Sequence, residues 1–116
     1  MQAILIIEDN QPFRQSLCEG MTEAGFQVYD AASGAAGLRL FALHRPSVVV
    51  TDLVMDDGEG IESIRQIRDL DRHVHIIAIS GNPAYLKSSG KLGANAMLLK
   101  PFRLHQLIAA IEGPGS

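Results

Sequence analysis

Five short apolar runs recur along the chain. They are AILII at 3–7, FQVYDA at 26–31, SVVVT at 47–51, HIIAIS at 75–80 and AMLLK at 96–100. Each run is apolar almost throughout rather than alternating between apolar and polar residues, which is typical of strands buried on both faces of a sheet. The runs therefore predict five strands at the centre of a layered domain.

The segments between these runs carry apolar residues three or four positions apart, which predicts an amphipathic helix after each strand. Five alternations of strand and helix with short connections predict right-handed crossovers and a mainly parallel sheet. The predicted fold is a small doubly wound α/β domain with helices on both faces of the sheet. Helix boundaries are predicted at Gly25, at Arg45 with Pro46, at Asn82 with Pro83, and at Gly93.

The fourth helix is expected to be the weakest of the five. Its sequence, AYLKSSGKL, places Ser88, Ser89 and Gly90 in the middle of the segment. All three are poor helix formers.

The composition limits the class of protein. At 116 residues the chain fits one domain, predicted over 1–112, with 113–116 as a tail or the start of a linker. The net charge of −3 gives no basic surface for nucleic acid or an anionic membrane. Cys18 is the single cysteine, which excludes an intramolecular disulfide and favours a structural thiol. The apolar run AILII is too short for a signal peptide or a membrane span, which predicts a soluble cytoplasmic protein.

Polar residues follow four of the five predicted strands. In open α/β sheets ligands bind outside the carboxyl ends of the strands, so these residues are the candidates for chemistry. They are Glu8, Asp9 and Asn10 after the first strand, Asp52 after the third, Ser80 and Gly81 after the fourth, and Lys100 and Pro101 after the fifth.

If the strand order brings the first, third and fifth strands together, Glu8, Asp9 and Asp52 share one edge of the sheet with Lys100. Three adjacent carboxylates require a cation, and oxygen ligands without His or Cys favour Mg²⁺. Lys100 adds a point charge for an anion, and Ser80 adds a hydroxyl donor. This set predicts a Mg²⁺-assisted phosphoryl site with a carboxylate nucleophile.

Simpler interpretations exist for several of these residues. Asp52 and Ser80 are also residue types that cap helices, and Glu8 with Asp9 is a common kind of solvated loop pair. His73 and His75 could suggest a metal pair, but no third ligand is evident. The acids that follow Asp52 fit a solvated loop better than a metal site: Asp56, Asp57 and Glu59.

Taken together, these motifs resemble the receiver domain of two-component response regulators. The resemblance rests on the acidic pair Glu8 and Asp9, on Asp52 in VVVTDLVM, on Ser80 in AISG, and on LLKPF at 98–102 after GANA. It runs over residues 3 to 112. Four motifs in order at matching strand ends are far more specific than any one of them.

The resemblance implies a flavodoxin-like sheet of order 2-1-3-4-5 and a phosphoacceptor role for Asp52. It implies that Glu8, Asp9, Asp52 and the backbone carbonyl of Val54 hold Mg²⁺. Ser80 would bond the phosphoryl oxygens, and Lys100 would pair with one of them. The peptide bond from Lys100 to Pro101 is expected to be cis.

The resemblance also implies the partners. The phosphoryl donor would be a phosphohistidine on a histidine kinase or a histidine phosphotransfer protein. A downstream effector or a fused output domain would read the phosphorylated state, and a phosphorylation-dependent homodimer is a further candidate. Apart from its own phosphorylation and dephosphorylation, the domain is not expected to catalyse a reaction, to contact nucleic acid or to bind a membrane.

Two positions depart from the family pattern, and two others bear on the rate of dephosphorylation. Met97 replaces the aromatic residue that usually accompanies the switch at Ser80, and Asp56 replaces a common proline. Val54 and Asn82 stand where side chains of this family flank the attacking water, and Val54 cannot hydrogen-bond it. This predicts slow self-dephosphorylation.

Two other functions remain open from the residues. A small Mg²⁺-dependent phosphohydrolase would also use an aspartyl phosphate, but Val54 stands where a second acid would be expected. A degenerate receiver that acts only as a binding module would not need the intact set of Glu8, Asp9, Asp52 and Lys100.

Overall fold

A computed structural model describes residues 2–54 and 60–113, in which five strands alternate with five helices. The strands are β1 (Ala3–Ile7), β2 (Gln27–Ala31), β3 (Val48–Asp52), β4 (His75–Ser80) and β5 (Ala96–Leu99). The helices are α1 (Gln11–Glu23), α2 (Gly34–His44), α3 (Gly60–Leu70), α4 (Pro83–Leu92) and α5 (Leu104–Glu112). Within these residues no helix is long and apolar enough to cross a bilayer.

The strands form one parallel sheet in the order β2-β1-β3-β4-β5. This confirms the predicted fold class and the strand order that the resemblance implies. In the register Asp52 pairs with Ile79, and Ser80 pairs with Leu99. The carboxyl ends of β1, β3, β4 and β5 therefore meet at one edge of the sheet.

The core has two layers, one on each face of the sheet. Side chains alternate along β1, so that Leu5 and Ile7 belong to one layer and Ile4 and Ile6 to the other. The first layer is covered by α2, α3 and α4, and the second by α1 and α5. The predicted helices on both faces are thereby confirmed.

The expectation that all five strands are buried on both faces was wrong for the two outer strands. β1, β3 and β4 are almost completely buried, as predicted, but β2 and β5 are partly exposed along their lengths. An outer strand has a neighbouring strand on one side alone, and the helices leave its margin uncovered. An apolar run therefore did not by itself mean burial on both faces.

Most helix boundaries follow from capping. Asn10, Ser33 and Asn82 accept backbone hydrogen bonds from the first turns of α1, α2 and α4. Arg45 ends α2 in the left-handed region at φ 47°, and Gly93 ends α4 at φ 121°. In α4, Ser89 is buried and its hydroxyl donates to the carbonyl of Leu86 at 2.7 Å. The expected weakness of α4 stays a prediction.

Candidate functional site

Three carboxylates converge where β1 and β3 end. Glu8 and Asp9 directly follow β1, and Asp52 is the last residue of β3, its neighbour in the sheet. One oxygen from each carboxylate lies within 4.8 Å of the others. Glu8 and Asp52 are buried. Such an all-oxygen set suits a hard divalent cation, so the residues fit the predicted Mg²⁺.

Lys100 reaches this cluster from the end of β5. Its Nζ lies 2.8 Å from Glu8 Oε1 and 3.4 Å from Asp52 Oδ2. The ring of Phe13 lies beneath the ammonium, with its centroid 4.7 Å from Nζ. The Lys100 amide donates to the carbonyl of Ser80 at 2.8 Å, and the bond from Lys100 to Pro101 is cis, as expected. A cationic side chain thus stands next to both buried acids.

Glu8 is held from several directions. Its Oε2 accepts from the Asn10 amide at 3.1 Å, and its carbonyl accepts from Arg14 Nη1 at 2.7 Å. The Arg14 guanidinium also pairs with Asp30 at 2.9 Å. Burial raises the pKa of Glu8 above its ordinary value, because the lost hydration outweighs the bonds from Lys100 and Asn10. A bound cation would favour the charged carboxylate.

Among the described residues, the Asp52 side chain bonds the chain just after its own strand. Oδ1 accepts from the Val54 amide at 3.4 Å, whereas α3 begins at Gly60. A Cβ on Gly60 would lie 2.4 Å from the Asp52 carbonyl oxygen and 2.6 Å from Leu53 Cα. Glycine is therefore required where α3 approaches Asp52, and the sequence analysis did not identify this role of Gly60.

A cavity of about 320 Å³ opens beside Asp52, the one acid of the cluster in its described lining. Ser80 and Lys100, two further predicted site residues, line this cavity together with Asp52. Ser80 is buried, and its Oγ accepts from the Asn82 amide at 3.0 Å. Asn82, rather than Ser80, caps α4. The lining consists of Asp52, Val54, Ser80, Gly81, Asn82, Tyr85 and Lys100.

Tyr85 is the lining residue that the sequence analysis did not select. It lies in the first turn of α4, immediately beyond the end of β4. The position of Tyr85 in the sequence could have indicated this. A helix that follows a strand begins at the carboxyl edge of the sheet, where ligands bind, so residues of its first turn are candidates for the site.

Met97 lies outside the described lining of the cavity. It is 44% exposed on β5, and a Cβ on Gly90 of α4 would lie 3.6 Å from its Sδ and Cε. Met97 therefore borders α4 rather than this cavity. Its part in switching stays a prediction, as does the role of the Val54 carbonyl.

Two alternatives can be compared with the structure. His75 Nε2 lies 2.8 Å from the Ala110 carbonyl oxygen, and the metal-ligand cluster found in the described part of the chain includes neither His73 nor His75. A histidine metal pair is therefore not supported. The predictions about Asp56, Asp57 and Glu59 lie outside the described residues.

Comparison with known proteins agrees with this geometry. The family model for the response regulator receiver domain matches residues 4–112. Photosynthetic apparatus regulatory protein RegA of Rhodovulum sulfidophilum is 30% identical over 115 residues, which cover 97% of this chain and 63% of that protein. This chain thus spans less than two thirds of RegA. Sporulation initiation phosphotransferase F of Bacillus subtilis is 27% identical over 113 residues, covering 96% of this chain and 91% of that protein.

A solved structure shows the same arrangement of strands and helices. It is a response regulator protein from Burkholderia pseudomallei with a phosphorylated aspartic acid, a calcium ion and citrate. Its TM-score is 0.89 at 26% sequence identity, over 95% of this chain and 66% of that one. With the family model matching nearly the whole chain and the sheet in the order β2-β1-β3-β4-β5, this chain belongs to the response regulator receiver domains of two-component systems.

Proposed function

We propose that Asp52 accepts a phosphoryl group from a phosphohistidine on a histidine kinase or histidine phosphotransfer protein. The observation that carries this proposal is the convergence of Glu8, Asp9 and Asp52 within 4.8 Å, with the ammonium of Lys100 beside them. Of these acids, Asp52 lines the cavity that a phosphoryl group would enter.

The transfer forms an acyl phosphate. A carboxylate oxygen of Asp52 attacks the phosphorus, and the phosphorus–nitrogen bond of the donor breaks. The imidazole leaves with the electron pair and then takes up a proton. Glu8, Asp9, Asp52 and the Val54 carbonyl would hold Mg²⁺, which neutralises charge on the phosphoryl oxygens when bound.

Lys100 and Ser80 stabilise the product. Lys100 already lies 3.4 Å from an oxygen of Asp52, so a small movement away from Glu8 would pair its ammonium with a phosphoryl oxygen. Ser80 lines the same cavity and can donate its hydroxyl proton to another phosphoryl oxygen. Both residues therefore interact more strongly with the phosphorylated state.

These new contacts would shift the surface that partners recognise. Ser80 and Asn82 connect the cavity directly to the start of α4. The side chain of Met97, on β5, lies near Gly90 in the same helix. Phosphorylation would favour one of two conformations already in equilibrium, so partial activity without phosphate is expected. A downstream effector or a fused output domain would read this change.

The test is phosphate uptake from a small phosphodonor such as acetyl phosphate, followed by intact mass spectrometry with Mg²⁺ or with a chelator. The parent protein should gain one phosphoryl group only with Mg²⁺, and Asp52→Asn should gain none. Asp69→Asn is the matched control, because Asp69 is exposed on α3 and lies outside the cavity lining. Equal labelling of Asp52→Asn and the parent would refute the proposal.

The same preparation tests the two other functions. Among the described lining residues Asp52 is the one carboxylate, so a second acid for repeated hydrolysis is not provided there. Turnover of assorted phosphate esters would nevertheless support a phosphohydrolase. A protein that takes up no phosphate and binds no Mg²⁺ would be a degenerate receiver.

A further inference from the structure

An aromatic ring lies against the cationic group of the site. The Nζ of Lys100 is 4.7 Å from the centroid of the Phe13 ring. This distance is within the range of about 6 Å over which the face of an aromatic ring attracts an ammonium. The Lys100 side chain is 25% exposed. Because the ammonium is shielded from much of the solvent, the attraction is stronger here than on an open surface.

The Phe13 ring also contacts the segment that carries Lys100. It packs edge to face against Phe102, with ring centroids 5.9 Å apart and an angle of 77° between the rings. Both aromatic side chains pack against the core layer that α1 and α5 cover. The Phe13 amide donates to the side chain of Asn10 at 2.9 Å, at the start of α1. The ring is therefore held between the first turn of α1 and the residues that follow β5.

The ring attracts the ammonium in a different way from the carboxylates. Glu8 Oε1 accepts a directed hydrogen bond from Lys100 Nζ at 2.8 Å, whereas the face of a ring attracts a cation without a bond to one particular N–H. The ammonium carries several N–H donors. It can therefore exchange its bond to Glu8 for one to a phosphoryl oxygen while it stays over the Phe13 ring.

We propose that Phe13 is a positioning residue for Lys100: its ring keeps the ammonium beside Asp52 when Glu8 is engaged by a cation. This inference rests on the proposed phosphoacceptor function. A long lysine side chain loses rotational freedom when it is held at one point, and the ring offsets part of that cost. Phe13 is not among the described lining residues of the cavity, so its effect on phosphate uptake passes through Lys100.

The first test removes the ring. Phe13→Leu keeps an apolar side chain and should slow phosphate uptake from acetyl phosphate about three- to tenfold at saturating Mg²⁺, as measured by intact mass spectrometry. In a Lys100→Met background the same substitution should cause no further loss, because the ring then has no ammonium to hold. The control is Phe26→Leu, since Phe26 packs against the same core layer but lies before β2, at the opposite edge of the sheet.

A second substitution keeps the packing and changes the charge on the ring. Pentafluorophenylalanine in place of Phe13 retains the shape of the ring but reverses the charge distribution on its face. It should therefore slow phosphate uptake as Phe13→Leu does. If Phe13→Leu has a lower urea unfolding midpoint than Phe26→Leu, the fluorinated variant provides the decisive rate.

NMR detects the contact without phosphorylation. In chelator and without a phosphodonor, the ring current of Phe13 should shift the ε-methylene protons of Lys100 upfield of those of the exposed Lys87. Phe13→Leu should abolish this difference.

Three results would overturn the inference. They are the absence of the upfield shift in the parent, parental rates of uptake in both Phe13 variants, and equal slowing by Phe13→Leu with Lys100 present or replaced by Met. Failure of the parent to take up phosphate would instead refute the phosphoacceptor function, and the role of Phe13 in uptake with it, while the NMR shift would still report the contact.

Discussion

Lys100 is paired more closely with Glu8 than with Asp52. The distance from Nζ is 2.8 Å to Glu8 Oε1 and 3.4 Å to Asp52 Oδ2. Glu8 is almost completely buried, whereas the Lys100 side chain is 25% exposed. The ammonium therefore neutralises a carboxylate that the proposed metal ion would also use.

This pairing predicts competition between Lys100 and Mg²⁺. Lys100→Met keeps an apolar side chain of similar reach and removes the charge, which should tighten Mg²⁺ binding by about tenfold, about 1.4 kcal/mol. The same variant should take up phosphate more slowly, because a phosphoryl oxygen loses its cationic partner. NMR titration with Mg²⁺ measures the first effect and mass spectrometry the second. Lys87→Met, an exposed position on α4, is the control; weaker Mg²⁺ binding in Lys100→Met would contradict this account.

The raised pKa of Glu8 predicts that the stability of the metal-free protein, kept in a chelator, depends on pH. Because burial raises this pKa, the folded protein binds the Glu8 proton more tightly than the unfolded chain does. Glu8 therefore contributes stability below its ordinary pKa of 4.5, and this contribution is lost as the pH rises through the raised value. Urea unfolding across this range should show the decline in the parent and a smaller decline in Glu8→Gln. Parallel curves for the two proteins would argue against it.

Val54 should limit the rate of self-dephosphorylation. It lines the cavity and cannot orient water. Val54→Asn supplies an amide that can, so we expect phosphate loss to accelerate by about tenfold. Val54→Ala is the companion variant, since it removes bulk without adding a polar group. An unchanged half-life in Val54→Asn would show that orientation of the attacking water at this position is not limiting.

Arg68 should be a stabilising residue away from the site. Its guanidinium donates to the carbonyls of Val74 and Gly93 and to the side chain of Asn95, each at 2.7 Å. These bonds tie the end of α3 to the start of β4 and to the turn before β5. Arg68→Ala should reduce the free energy of unfolding by about 2 to 4 kcal/mol.

Urea unfolding measures this loss, with Arg65→Ala as its control. Arg65 makes an ion pair with Glu62 on the surface of α3, and exposed pairs contribute little to stability. We therefore expect no measurable change in that variant. Equal free energies of unfolding for the two variants would contradict the prediction that Arg68 stabilises the fold.

Cys18 should react slowly with alkylating reagents. Burial raises the pKa of its thiol from 9.0 to about 11, so that at pH 8 the thiolate fraction falls to about one hundredth of that of an unperturbed thiol. Mass spectrometry after brief treatment with iodoacetamide should show little modification of the native protein and rapid modification in urea. Fast alkylation of the folded protein would contradict the interpretation of Cys18 as a structural thiol.

Much of the fold followed from local pattern. The apolar runs predicted every strand to within about one residue at either end, because burial of a strand requires apolar side chains along it. The predicted helix boundaries at Arg45 and at Asn82 with Pro83 also correspond to observed ends, since their capping and backbone preferences are local properties. The exposure of β2 and β5 did not follow, because it depends on which strands lie at the margins.

The sequence by itself determined the kinds of elements and the residues that stand at their ends. Whether those ends meet depends on the strand order. Local sequence pattern does not predict the strand order, which was expected here only because of the family resemblance. Tertiary structure alone decided that Lys100 pairs with Glu8, 92 positions away, that α3 approaches Asp52 through Gly60, and that Tyr85 lines the cavity. These relationships are distances through space, and they are set by the packing of helices and strands that are far apart in the chain.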